Sequence, residues 1–144
     1  MFVPQLNAAG TAYLPQSWDN NFGPGGVLYA LQRYASAEVG NAATSATIPA
    51  VAGQLAVITG FEVYAGGATA GSLVDVTITG ILGGTQSYPL AVPTGPTTLL
   101  WPPLLITFDQ PIPASGNNIA IAVNLPALGA GNTKAICYAR GYYA

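Results

Sequence analysis

The sequence predicts an all-β domain, an antiparallel β-sandwich or jelly roll of about eight strands, carrying an extended N-terminal arm. Three observations predict it. Apolar residues recur with a period of two through most of the chain, which puts every second side chain on one face of a half-buried strand. Gly- and Pro-rich pieces cut these runs at intervals of roughly a dozen residues, the sequence form of a sandwich. Finally, 144 residues of which 51% are hydrophobic are enough for one domain around a single core.

The expected division is an arm at 1–26 and a sandwich at 27–144. The arm holds Pro4, Pro15 and Pro24, the polar run Asp19-Asn20-Asn21, and Gly23-Pro24-Gly25-Gly26, with no sustained period. Yet Phe2, Leu6, Tyr13, Leu14, Trp18 and Phe22 are dispersed through it. A solvated tail does not need so many large apolar groups, so the arm is expected to lie on a surface, its own or a neighbour's. Residues 27–39 fit two patterns. Val27, Leu31, Tyr34 and Ala35 make a helical stripe stopped by Gly40-Asn41, whereas Leu28, Ala30, Gln32 and Tyr34 make one face of a strand. The strand is preferred because everything after it reads as β.

Further strands are expected at 44–49, 55–64, 73–82, 85–92, 98–108, 117–124 and 134–143. Leu55, Val57, Phe61 and Val63 share one parity, with Glu62 on the outward one. Val74, Val76, Ile78 and Leu82 alternate with Asp75, Thr77 and Thr79; Leu104, Ile106 and Phe108 with Leu105, Thr107 and Asp109; Ile119, Ile121 and Val123 with Ala120, Ala122 and Asn124. Turn residues separate the runs at Gly66-Gly67, Gly83-Gly84, Ser115-Gly116-Asn117 and Gly129-Ala130-Gly131-Asn132. Gly83-Gly84 signals a two-residue type I′ hairpin, whose central positions both need positive φ. Pro89 and Pro102-Pro103 cannot donate ladder bonds, so they mark edge positions or a crossing between sheets.

Charge removes most enzyme chemistry. Three Lys or Arg and five Asp or Glu make 6% of the chain, and there is no His; the usual charged share is roughly 25%. Without His there is no imidazole base, no Ser-His or Cys-His couple and no His metal ligand. Three cations at net charge −2 cannot neutralise the phosphates of a nucleic acid. The lone Cys137 cannot form an intrachain disulfide. The uncharged stretches between Asp75, Asp109 and Lys134 are broken by Gly and Pro, so none supplies the roughly 20 apolar residues of a membrane-spanning helix. The start, Met1-Phe2-Val3-Pro4, lacks the basic and apolar regions of a signal peptide, and a soluble protein made in a cytoplasm is expected.

Among candidate sites, Glu62 and Asp75 are the most plausible carboxylate pair for glycoside hydrolysis, on consecutive strands that would pair. Against this, their parity points both outward, where they would serve to keep a sheet face soluble, so no catalytic residue is assigned. Cys137 shares its parity with Ala135 and Ala139 and reads as a small buried hydrophobe. Lys134, Ile136, Tyr138 and Arg140 share the other, a mixed face that suits a partly buried contact surface. Trp18, Trp101, Tyr138, Tyr142 and Tyr143 have three readings: interface anchors, a sugar-stacking platform, or core packing. The partner-contact residues expected are Phe2, Leu6, Trp18, Phe22, Trp101, Tyr142 and Tyr143. No Gly-rich piece matches a phosphate loop, and no cofactor or metal is expected.

From Ile48-Pro49-Ala50-Val51-Ala52-Gly53-Gln54 and Ile58-Thr59-Gly60-Phe61 onward, the chain resembles small all-β virion proteins of tailed bacteriophages. Tyr64-Ala65-Gly66-Gly67-Ala68-Thr69-Ala70-Gly71, Phe108-Asp109-Gln110-Pro111-Ile112 and Ala139-Arg140-Gly141-Tyr142-Tyr143 carry the same likeness. It spans about Thr44 to the end and consists of turn chemistry, with no catalytic motif to transfer. The resemblance implies a capsid decoration or cement protein, or a related head or tail component. Such a protein would be a β-sandwich on the virion surface, often a homotrimer, whose partners are the major capsid protein and itself. A carbohydrate-binding module or receptor-binding tail component is the alternative, with a glycan as partner.

Overall fold

A computed structural model of the chain describes residues 31–95 and 102–144. The expected arm with Phe2, Leu6, Trp18 and Phe22 lies outside the described residues, as does Trp101. Eight strands and no helix occur among the described residues: β1 (Gln32–Ala35), β2 (Thr44–Ile48), β3 (Ala56–Ala65), β4 (Ser72–Thr79), β5 (Gln86–Val92), β6 (Leu104–Pro113), β7 (Ile121–Leu125) and β8 (Ala135–Tyr143). They form two antiparallel four-stranded sheets, in the orders β1-β8-β3-β6 and β2-β7-β4-β5. The pairing is nested: β1 with β8, β2 with β7, β3 with β6 and β4 with β5. The first four strands and the last four are thus the two arms of one long hairpin folded over on itself. Pairs β3–β8 and β4–β7 complete the sheets.

Alternation drives the assembly. Val76 and Ile78 of β4, Ile121, Val123 and Leu125 of β7, and Ala46 and Ile48 of β2 turn inward from one sheet. Phe61, Val63 and Ala65 of β3 meet them from the other, together with Ala135, Cys137 and Ala139 of β8. Near the β5–β6 side, Phe61, Tyr88 and Phe108 pack together at 5.0–6.4 Å between ring centroids. The edges are β1, β6, β2 and β5. Pro89 lies in edge strand β5, and Pro102-Pro103 lead into edge strand β6, as their missing N–H donors require.

Several expectations change in detail. The parity of 55–64 does not run straight through. The ladders of β3 with both neighbours shift between Ile58 and Gly60, so Ala56 and Ile58 face the core before the shift and Phe61 and Val63 after it. Val57, expected inward, stands on the outer face opposite Tyr142 and is 5% exposed there. Leu82 is exposed, because Gly80 adopts φ +81 and ends the strand, sending Ile81 into the core instead. Gly83 and Gly84 both have positive φ, but they do not form a two-residue hairpin. The Gly84 N–H donates to Ile81 O at 3.2 Å, a turn centred on Leu82-Gly83, inside a loop held by Leu82 N–H to Pro113 O and Ser115 N–H to Gly80 O. Of the strand expected at 98–108, residues 98–101 lie outside the described residues; β6 begins at Leu104 and runs on to Pro113.

Two glycines show how close the chains run. A Cβ on Gly141 would sit 2.2 Å from Val57 O and 2.6 Å from Ile48 Cδ1, whereas one on Gly53 (φ +77) would meet nothing within 4 Å. Gly141→Ala is therefore expected to lower unfolding free energy by about 3 kcal/mol or more through overpacking. Gly53→Ala should lose only the left-handed backbone penalty, about 1–2 kcal/mol. Urea unfolding midpoints of the two variants check the order.

Candidate functional site

The outer face of the β1-β8-β3-β6 sheet carries most of the charge of the described residues. Along β8, Ala135, Cys137, Ala139 and Gly141 are buried and inward, so Ile136, Tyr138, Arg140 and Tyr142 take the outward positions. The β1 register sets Arg33 directly opposite Arg140, a like-charge cross-strand pair that would repel if left alone. Glu62 of β3 resolves it. Its Oε2 accepts from Arg33 Nη2 at 2.5 Å, and its Oε1 lies 3.4 Å from Arg140 Nε. The Tyr64 hydroxyl donates to the same Oε2 at 3.1 Å. Arg33 also lies over the Tyr138 ring, 3.6 Å from its centroid, a cation–π contact, and Tyr64 meets Tyr138 edge-on at 5.8 Å.

Arg140 reaches in the other direction as well. Its Nη2 donates to Ile106 O (3.1 Å) and Thr107 Oγ1 (2.9 Å) on β6, crossing over Gly60. A Cβ there would stand 2.8 Å from Nη2 and 2.3 Å from Ile106 O, so Gly60 leaves the channel in which the guanidinium lies. Its Nε is buried and makes no hydrogen bond, since the approach to Glu62 lacks the geometry of one. The third cation, Lys134, begins the same outward row of β8 and pairs with Glu38 at 3.4 Å, both well exposed. Every Lys and Arg of the chain thus belongs to this face or its margin, and three cations against two carboxylates leave one positive charge.

The electrostatics of Glu62 follow from its setting. Burial alone would raise its pKa, but the hydrogen bonds from Arg33 and Tyr64 and the charges of both arginines outweigh it and hold the carboxyl below its ordinary value. Glu62 in turn raises the pKa of Arg33, and its hydrogen bond raises that of Tyr64. The group is a fixed anion that accepts hydrogen bonds and ties β1, β3 and β8 together.

Several sequence expectations meet this geometry. Glu62 and Asp75 do not pair: β3 and β4 belong to different sheets, and Asp75 stands opposite Pro89 of β5. Nor does Glu62 keep a sheet face wet, being only 8% exposed; the arginines enclose it. Cys137 is fully buried as expected, its thiol pushed up by burial and 3.6 Å from Val123 O. Tyr142 and Tyr143 point to opposite sides. Tyr143 packs against the core and donates to Pro49 O at 2.7 Å, a structural role, whereas Tyr142 continues the outward row of Arg140. Lys134, Ile136, Tyr138 and Arg140 do share a face. Arg33 and Tyr64 complete it, and the sequence reading passed over them. The signals were there: Arg33 is one of three cations, and Tyr64 lies two residues from Glu62 on the same parity.

The outer face of the other sheet is nearly uncharged. It presents Ser45, Thr47, Leu73, Thr77, Ala122 and Asn124, with Asp75 among them, and Asn124 accepts from Ser45 Oγ at 2.7 Å. No cluster of metal-ligating residues and no helix long and apolar enough to cross a membrane occur among the described residues. Comparison with family profiles, curated proteins and solved structures gives no match.

The Glu62 arrangement has a pH signature. A folded-state pKa below the unfolded one contributes stability that is present above the ordinary carboxyl value of 4.5 and lost as pH falls through the lowered one. Glu62→Gln should therefore flatten the acid limb of the stability-against-pH curve below about pH 4.5. At neutral pH it should lose about 1–3 kcal/mol, because hydrogen bonds to a charged group are removed. Urea midpoints taken from pH 7 down to pH 3 check both.

Proposed function

We propose that the chain is a structural virion protein, a capsid decoration or cement subunit at the phage head surface that binds the major capsid protein and copies of itself. The observation that carries this reading is the combination of few charged residues, most of them paired with one another, and several exposed leucines. Of seven charged residues among those described, five are engaged with one another in the clusters of Glu62 and Lys134, which leaves Asp75 and Asp109 outside any ion pair among the described residues. Leu73, Leu82 and Leu105 are meanwhile 71%, 61% and 57% exposed. A freely diffusing monomer with near-neutral surface and exposed leucines tends to associate, whereas a subunit held in a shell turns such faces toward neighbours.

The nested strand order supports the same reading. We read it as a jelly roll, an architecture that viral capsid domains use, as lectins do too; the support is by architecture alone. Between these, the Tyr138 ring weighs against a sugar platform, because Arg33 already covers one of its faces.

The arm is the proposed anchor, through Phe2, Leu6, Trp18 and Phe22. Removing residues 1–23 should leave a cooperatively folding sandwich that no longer co-sediments with capsids. Unchanged capsid affinity in the truncated protein refutes the arm's role. Docking by apolar burial should also persist or strengthen when NaCl is raised from low to molar concentration, since high salt screens charge pairs and leaves apolar burial intact. Dissociation in high salt, read by the same sedimentation, refutes the apolar mechanism.

A further inference from the structure

We propose that β1 is a hinged strap: its four residues leave β8 together in an opening that the rest of the sandwich does not share, swinging on Ser36 and held shut by the Arg33–Glu62 pair. Such an opening belongs to the free domain and is independent of the capsid reading.

Core packing holds β1 least of the eight strands. Edge strands β2 and β5 each seat two side chains in the core, Ala46 with Ile48 and Leu90 with Val92. Edge strand β6 leans Leu104, Ile106, Phe108 and Ile112 against it. β1 seats none: Gln32, Arg33 and Ala35 are exposed, and Tyr34 alone leans on the core. Among the described residues its one neighbouring strand is β8, over four register positions. The side chains opposite its inward row are small, Ala139 facing Tyr34 and Gly141 facing Gln32, so separation strips little apolar area from β8. A segment with so few buried apolar contacts opens at a fraction of the global unfolding free energy.

The chain that follows β1 is anchored differently. Ser36 is 8% exposed and bonds Cys137 in both directions. Its N–H donates to Cys137 O at 2.9 Å, and its Oγ accepts from the Cys137 N–H at 3.0 Å. Three residues on, Val39 and Ala135 exchange both backbone bonds, at 2.9 and 2.8 Å. An opening that starts at Gln32 therefore stops at Ser36, which makes this serine the hinge.

Within the strap the tie is Arg33. Its guanidinium lies over the Tyr138 ring of β8 and reaches Glu62 on β3, a strand with which β1 does not pair. The side chain thus crosses β8 as a clasp. With the Arg33 side chain 48% exposed, water has access to the pair, and a pair of that kind holds a strand without locking it. Each opening frees four residues, and so adds about 13 Å to the reach of the chain that precedes Leu31.

The test is hydrogen exchange of the full chain at pH 7, read by mass spectrometry of peptic fragments, in a series of urea concentrations below the unfolding transition. Amides of Gln32–Ala35 should exchange at least about 100-fold faster than those of β3 and β7, as a local opening allows. Their rate should stay nearly flat with urea, because little surface is exposed. The Val39 amide, beyond the hinge, should stay protected. Glu62→Gln unties the clasp and should speed β1 exchange about tenfold, through loss of hydrogen bonding to a charged group. Arg33→Ala, an exposed edge substitution, gives the same reading if Glu62→Gln does not fold. Three results overturn the inference: β1 amides as slow and as steep in urea as those of β3, fast exchange that runs on through Val39, or β1 rates unchanged when the clasp is removed.

Discussion

The shift in register at Thr59 is the constraint from which core and charged face both follow. One surplus residue in β3 changes which parity faces inward, so Ile58 and Phe61 both reach the core although they are three apart. The same shift brings Gly60 beneath the path of Arg140 and sets Glu62 outward, opposite Tyr138. The Thr59 hydroxyl donates to Arg140 O at 3.1 Å, filling the place of a ladder bond the shift removes. A straight β3 with the parity of Leu55 and Val57 inward would face Ala56 and Ile58 to solvent, and β8 would lose its close approach at Gly141. Bulges of this kind re-aim side chains and recur next to functional surfaces.

The Arg33–Glu62–Arg140 cluster is costly to build, since each charge leaves part of its water behind. A partly buried group of this sort is weak evidence for added stability, because an apolar replacement of similar volume is often as good. What it does supply is register. Arg33 fixes the four-residue strand β1 against β8 and β3, and Arg140 fixes β8 against β6. With the inner face of β8 made of Ala, Cys, Ala and Gly, packing alone specifies that strand loosely, and the polar bonds on its outer face supply what the small side chains do not.

Much of the fold was legible in the sequence because alternation is a local signal. The inward positions of β4, β6 and β7, the burial of Cys137 and the edge placement of Pro89 all follow from parity and from proline's missing donor. What was not legible is non-local. The surplus residue at Thr59 leaves no mark in the hydrophobic pattern, since Thr and Gly are neutral at either parity. The turn at Gly80–Gly84 looked like a two-residue hairpin because two glycines stood together; the bond from Leu82 to Pro113, far along the chain, decided otherwise. Glu62 was paired with Asp75 on the assumption that consecutive strands are neighbours, and the nested order sends β3 and β4 to different sheets.

The same non-local rule explains why the charged face was only half seen. Lys134, Ile136, Tyr138 and Arg140 are one strand's outward row, readable by counting in twos. Arg33 and Tyr64 join them only because β1 and β3 flank β8, though β1 lies about a hundred residues away in sequence and β3 about seventy. Nesting the first strand against the last gathers cations from both ends of the chain onto one surface. A composition with so few charges therefore yields a strongly asymmetric charge distribution, which net charge alone does not reveal. Near-neutral surface elsewhere makes the asymmetry more consequential, because a partner meeting this domain finds few competing charges to orient on.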